Sequence, residues 1–77
     1  MTTESGVKLT ELRPGEKAKL LFMTPEVELR LFGFGLFPGI EIEMIQRFPS
    51  YIIRCEQTEI ALETSVASQV TVSKPTI

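Results

Sequence analysis

The stretch LRLFGFGLFPG at residues 29–39 holds three glycines and three phenylalanines in eleven positions. Glycines this close together suggest a dinucleotide-binding loop, which requires the pattern GxGxxG between a strand and the helix that follows it. Gly33 and Gly35 fit the first two positions, but Pro38 occupies the third. The predicted helix also precedes these glycines, whereas the phosphate-binding arrangement needs it after them. The sequence therefore excludes a phosphate-binding loop here.

The glycines instead mark the end of a predicted helix. Thr24 is a suitable N-cap and Pro25 suits the first helical position. The apolar stripe of this helix, at i, i+4 and i+7, consists of Val27, Leu31 and Phe34. Gly35 lies one residue beyond the stripe, where a left-handed residue commonly ends a helix. We expect Leu36 to fold back onto the helix.

Alternating apolar and polar residues on both sides of this helix predict about five short strands. They cover residues 17–22, 40–44, 50–56, 58–62 and 69–73. In the first of them, the alternation places Ala18, Leu20 and Phe22 on the inward face. A shorter helical turn is predicted at residues 64–68. So many short strands in a chain of 77 residues indicate a small closed or nearly closed β-barrel, with the helix inserted between the first two strands.

Two Pro-Gly pairs are predicted to turn the chain into the first and second strands. Pro14-Gly15 and Pro38-Gly39 fit type II turns, in which proline presets φ and glycine accepts a positive φ. Ahead of them, Leu9 and Leu12 are three residues apart, which predicts a short turn packed on the core.

Length and charge limit the classes of protein. A chain of 77 residues is predicted to form one domain, residues 1–77, with residues 1–6 as a disordered tail. The net charge of −2, without a basic stripe, argues against nucleic-acid binding. The start of the chain does not resemble a secretory signal, and no apolar run is long enough to cross a membrane. We expect a cytoplasmic protein that does not insert into a membrane.

The chain lacks two of the side chains that are used most often in catalysis. It has no histidine or aspartate, and Cys55 is its single cysteine. Neither a catalytic triad nor a typical zinc site can be built from these residues. Glu41 and Glu43 share a face, but Lys17 and Lys19 occupy the matching positions of the neighbouring predicted strand, which indicates a solvated charged face. We predict no enzymatic activity, no cofactor and no metal site.

Phenylalanines of the 29–39 stretch allow two interpretations. Phe32 and Phe37 do not share the face of Phe34. Clustered exposed aromatic residues often mark a docking site, but they can also cap the open end of a small barrel. The sequence leaves both interpretations open.

Several motifs, taken in order, resemble the ferrous iron transport protein A (FeoA) family. They are LxxLxPGExA at residues 9–18, RLxxxGLxPG at 30–39, IAL at 60–62 and AxxVxV at 67–72. The similarity covers about residues 8–73. Departures from the family pattern are Gly33 inside the helix, the short loop at residues 48–50, and Glu63, where a basic residue is common.

This resemblance implies an SH3-like β-barrel with a helical insertion. It also implies a small cytosolic accessory protein of bacterial ferrous iron uptake, whose partner is the membrane iron transporter with a cytoplasmic GTPase domain. The same domain occurs at the C-termini of iron- or manganese-dependent repressors, so the alternative is a metal-responsive regulatory module. The expected partner-binding residues are Arg30, Leu31, Phe32, Phe34, Leu36 and Phe37.

Overall fold

The computed structural model describes residues 6–74, which fold around one hydrophobic core. Six strands and two α-helices make up the fold, together with a 3₁₀ helix at Leu9–Glu11. The strands are β1 (Gly6–Lys8), β2 (Lys17–Met23), β3 (Glu41–Gln46), β4 (Tyr51–Cys55), β5 (Thr58–Leu62) and β6 (Val70–Ser73). The helices are α1 (Pro25–Phe32) and α2 (Thr64–Ala67).

All neighbouring strands pair antiparallel, in the order β1-β6-β2-β3-β4-β5. β2 joins the two parts of this sheet, because its first half pairs with β3 and its second half pairs with β6. The sheet curls around the core into a small barrel. Within residues 6–74, its edge strands β1 and β5 are not paired with each other. The predicted mainly β fold with an inserted helix is confirmed.

A sixth strand, β1, was not predicted, so α1 lies between the second and third strands. Val7 pairs with Val72, and Gly6 pairs with Ser73. The predicted disordered tail is therefore wrong at Gly6, while residues 1–5 lie outside the described residues. A Cβ atom at Gly6 would lie 2.6 Å from the Thr71 side chain, so only glycine fits where β1 comes this close to β6.

Phe22 lies on the opposite face from the one predicted. Its side chain is 63% exposed, whereas Ala18 and Leu20 are buried as expected. The cause is a register shift in the β2–β6 pairing between Leu20 and Phe22. Because an extra residue in a strand reverses the facing of the residues after it, Phe22 turns outward.

Both predicted type II turns are present. In the turn at residues 13–16, the amide of the fourth residue donates to the carbonyl of the first at 3.0 Å, and Gly15 has φ 93°. In the turn at residues 37–40, the corresponding distance is 3.2 Å and Gly39 has φ 96°. The Gly39 amide also donates to the Leu20 carbonyl at 2.7 Å. This bond fixes the second turn against β2.

Apolar side chains from every part of the barrel meet in the core. Leu9 and Leu12, at the two ends of the 3₁₀ helix, are fully buried, which confirms the short turn packed on the core. Cys55 on β4 points inward and is buried. The remaining fully or almost fully buried large side chains are Leu20, Leu31, Leu36, Ile42, Met44, Ile53, Val70 and Val72.

Candidate docking surface

Helix α1 begins at a side-chain cap that also ties it to the turn before β6. The Thr24 hydroxyl oxygen accepts a hydrogen bond from the Val27 amide at 3.4 Å, and its hydroxyl donates to Gln69 Oε1 at 3.1 Å. Thr24 has extended backbone angles, and Pro25 occupies the first helical position, as predicted. The helix therefore starts at a fixed place beside the start of β6.

The C-terminal end of α1 is closed by a Schellman motif. The Gly35 amide donates to the Phe32 carbonyl, and the Leu36 amide donates to the Leu31 carbonyl, both at 3.0 Å. Gly35 has φ 86°, the left-handed conformation predicted for it. Leu36 then enters the core with 1% of its surface exposed. The predicted fold-back of Leu36 onto the helix is confirmed.

Phe34 does not belong to the buried stripe of α1, contrary to the prediction. Its side chain is 54% exposed, although Val27 and Leu31 are buried. Regular helix ends at Phe32, and the Phe34 amide donates to the Leu31 carbonyl three residues back. The i, i+4, i+7 spacing describes a face only within a regular helix, and Phe34 lies two residues beyond the end of this one. Phe34 therefore does not continue the stripe, and its side chain is exposed.

Two of the six predicted partner-binding residues face the core. Leu31 is 0% exposed and Leu36 is 1% exposed. Neither side chain is available for contact with another molecule unless the fold changes. The prediction that these two residues bind a partner is therefore corrected. Both have a structural role: Leu31 anchors the helix on the core, and Leu36 anchors the end of the helix.

The other four predicted residues are exposed and lie close together along the chain. We call Arg30, Phe32, Phe34 and Phe37 the aromatic surface. Phe32 is 64% exposed, and Phe37 is 46% exposed. The Arg30 guanidinium is 4.0 Å from the carboxylate of Glu63, and both side chains are mostly exposed, so this ion pair is weak. All three phenylalanines are at least 46% exposed, so none of them is a core residue.

Sequence reasoning missed a second apolar feature on the same helix. Leu29 is 76% exposed on the outward side of α1. It lines a shallow groove of about 270 Å³ together with Pro25, Glu28 and Phe32. The spacing of these residues was a readable signal, because Pro25, Leu29 and Phe32 also follow i, i+4 and i+7.

A charged face covers the sheet formed by β2 to β5. Lys17 pairs with Glu43, and Lys19 pairs with Glu41, which agrees with the interpretation of these residues as a solvated charged face. Arg54 adds an ion pair of 3.5 Å to Glu43. Within residues 6–74, no three potential ligands among Cys and Glu are placed to hold a metal ion. Opposite charges across neighbouring strands account for this face.

Cys55 lies at the edge of the core beside the turn that joins β4 to β5. Cys55 is a free cysteine, and 8% of the residue's surface is exposed. Burial, and secondarily the nearby negative charge of Glu56, raise the pKa of the Cys55 thiol above its usual range. The thiolate is therefore disfavoured, which opposes a nucleophilic role.

The described residues include no helix that is both long and apolar enough to span a membrane. α1, the longest helix in residues 6–74, has eight residues. A span requires about 20 apolar residues in a row.

The fold and the exposed residues together define a small β-barrel domain with an aromatic surface at the end of its inserted helix. The FeoA domain family model matches residues 7–74. The chain therefore belongs to the FeoA family, which is associated with ferrous iron transport. None of the curated proteins is similar enough to the chain to count as a match.

Several solved structures share this fold. The iron(II) transport protein A from Clostridium thermocellum is 29% identical with a TM-score of 0.76, covering 87% of this chain and 44% of that one. An iron uptake regulatory protein (FeoA) is 24% identical with a TM-score of 0.82, covering 94% and 99% of the two chains. FeoA from Stenotrophomonas maltophilia, in complex with zinc and described as an SH3 domain protein, is 24% identical with a TM-score of 0.73, covering 87% and 89%. The expected SH3-like architecture is confirmed.

A longer protein also contains this fold. IdeR from T. acidophilum is 21% identical with a TM-score of 0.84 and covers 95% of this chain. The chain spans 36% of the length of that protein. At this identity the similarity shows a shared fold alone.

Proposed function

We propose that this chain is a cytoplasmic accessory protein of ferrous iron uptake. It binds the cytoplasmic, GTPase-containing part of the membrane ferrous iron transporter. The proposal is supported by membership of the FeoA family and by the exposure of three phenylalanines on the aromatic surface. Binding is the activity assigned to the chain, since it carries no histidine and its one cysteine is buried.

The aromatic surface has the composition of a binding hot spot. Aromatic residues and arginine are enriched at the centres of protein interfaces, where their removal has the largest effect on affinity. Phe32, Phe34 and Phe37 offer large apolar area to a partner, and Arg30, two residues before Phe32, supplies an exposed cation. The Schellman motif and the turn at 37–40 hold the backbone of this region in place, so docking requires little ordering.

Affinity for the purified cytoplasmic part of the transporter tests this proposal. The double variant Phe34→Ser/Phe37→Ser is expected to bind at least about tenfold more weakly, because two apolar anchors are lost. Phe48→Ser is the matched control. Phe48 is 84% exposed in the loop between β3 and β4, so its replacement removes exposed aromatic area elsewhere on the barrel. Circular dichroism and thermal unfolding establish that each variant is folded.

Equal affinities for the wild type, the double variant and the Phe48 control would exclude the aromatic surface. If the folded wild type does not bind the cytoplasmic part of the transporter, the proposed partner is wrong. In cells that depend on this chain for ferrous iron, uptake should fall with the double variant and remain normal with the Phe48 control.

A metal-responsive module is the second candidate, favoured by the fold that the chain shares with a manganese-dependent transcriptional repressor in complex with manganese. A response to metal requires ligands, and glutamates are the main candidates in residues 6–74. Anaerobic calorimetric titration with ferrous and manganous ions tests this candidate directly. Saturable binding with one-to-one stoichiometry would support it, and the absence of heat at millimolar metal would exclude it.

A further inference from the structure

Helix α1 is apolar on two opposite sides. Val27 and Leu31 face the core, while Leu29 and Phe32 face outward with 76% and 64% of their surfaces exposed. Leu29 lies about 200° around the helix from Val27, since each residue advances by 100°. A helix that is apolar on two sides is typical of one that lies between two packed layers. The barrel supplies only one of those layers.

The outward side forms a groove with an acidic rim. Its floor is built from Pro25, Leu29 and Phe32, and Glu28 borders it. Acidic residues in the first turn complement the helix dipole, which accounts for their helical position. That role does not require Glu28 to border an exposed apolar groove. The groove thus combines an apolar floor with a negative charge.

No cation on the helix itself neutralises this rim. Arg30 is the only basic residue of α1, and its guanidinium is directed to Glu63 at 4.0 Å. Glu26 adds a second exposed carboxylate to the same helix. A partner that covers the groove must therefore bring both apolar side chains and positive charge.

We infer that this groove, lined by Pro25, Glu28, Leu29 and Phe32, binds a basic amphipathic helix. The inference rests on the proposed function, in that the transporter's cytoplasmic part supplies the helix. The i, i+4, i+7 ridge of α1 is the shape that packs against another helix. Lysine or arginine side chains of the incoming helix lie opposite Glu28. A second copy of this chain is a poorer occupant, because it brings the same carboxylates to the contact.

Two designed peptides probe the groove independently of the transporter. Both are 18-residue amphipathic helices with the same leucine face, and their polar positions are lysine in one and glutamate in the other. The wild type is expected to bind the lysine peptide at least about tenfold more tightly than the glutamate peptide. Amide chemical shifts of the ¹⁵N-labelled chain should change around Leu29 and Phe32. Equal affinities for the two peptides would overturn the inference.

A charge reversal at the rim identifies the group responsible. Glu28→Lys is expected to weaken binding of the lysine peptide by about fivefold to tenfold and to strengthen binding of the glutamate peptide. Glu11→Lys is the matched control, because it makes the same charge change on the exposed side of the 3₁₀ helix. Leu29→Ser should weaken binding of both peptides. Similar effects of the changes at Glu28 and Glu11 would overturn the inference.

The same variants separate this inference from the proposed function. If the transporter's cytoplasmic part binds the wild type and the Glu28→Lys variant equally, the groove assignment fails while the function stands. If the wild type binds the lysine peptide in the predicted way but not the transporter, the function fails and the chemistry of the groove stands. Light scattering that shows a dimer, converted to a monomer by Leu29→Ser, would assign the groove to self-association and overturn the inference.

Discussion

At the scale of single residues, neighbours in sequence have opposite roles that composition alone does not reveal. Leu36 is 1% exposed and completes the core, while Phe37 is 46% exposed beside it. The larger aromatic residue faces solvent because Gly35 reverses the chain and directs Leu36, not Phe37, back onto the helix. The sequence predicted Leu36's return to the helix, but its inclusion among partner-binding residues ignored the burial that this return requires.

Cys55 is a second case in which the surroundings decide a residue's role. Its thiol has a raised pKa because it is buried, with a smaller contribution from Glu56. In the unfolded chain the thiol ionises near pH ~8.5, whereas in the folded chain it stays protonated to higher pH. Protonation of Cys55 therefore stabilises the fold fully below about pH 8.5, and this contribution is lost as pH rises toward the folded pKa.

We expect this linkage to appear as a difference between the wild type and Cys55→Ala. Urea unfolding of both proteins from about pH 7 to about pH 9.5 gives their free energies of unfolding. The wild type should lose stability relative to the variant above about pH 8.5. Comparing pH slopes, rather than single values, removes the constant effect of the lost sulfur atom. A difference that stays constant across this pH range would contradict the raised pKa.

At the scale of elements, α1 ends near two glycines with different backbone conformations. Gly35 has φ 86°, which a residue with a side chain adopts only at a cost of about 1–2 kcal/mol. Gly33 has φ −64° and ψ −20°, which any residue can adopt. An added Cβ at Gly33 would meet the Arg30 carbonyl oxygen at 3.4 Å, an ordinary contact.

Alanine at each glycine should therefore shift stability in opposite directions. Gly35→Ala is expected to lower the free energy of unfolding by about 1–2 kcal/mol, since alanine is strained at positive φ. Gly33→Ala should raise it by about 0.4–1 kcal/mol, because alanine restricts the unfolded chain and favours helix. Urea unfolding measures both. Equal losses at the two positions would contradict the assigned end of the helix.

Elements with strong local signals could be predicted from the sequence, and elements set by distant contacts could not. The cap at Thr24 and the left-handed Gly35 depend on chemistry within a few residues, so both were predicted. Strand β1 has only three residues, and its pairing with β6 joins opposite ends of the chain. The bulge that turns Phe22 outward arises from the pairing of β2 with β6. The alternation of apolar and polar residues within β2 gives no sign of it.

At the scale of the whole molecule, four of the six exposed large apolar side chains within residues 6–74 lie on or next to one helix. Leu29, Phe32, Phe34 and Phe37 lie on α1 or within five residues of its end. The sheet formed by β2 to β5 instead carries charges that pair across strands. Part of the candidate site was therefore predictable, because the cluster of phenylalanines is visible in the sequence. The exposed position of Leu29 was not, since it depends on which side of α1 meets the barrel.

From this arrangement we propose that α1 and the turn after it form the face that meets the transporter. Chemical-shift mapping tests that claim most directly. The ¹⁵N-labelled chain is titrated with the unlabelled cytoplasmic part of the transporter, and amide signals are followed residue by residue. We predict that the largest changes fall within residues 25–40 and that residues 46–51, around Phe48, are little affected. Changes confined to the charged strands β3 to β5, or no changes at saturating concentration, would contradict the claim.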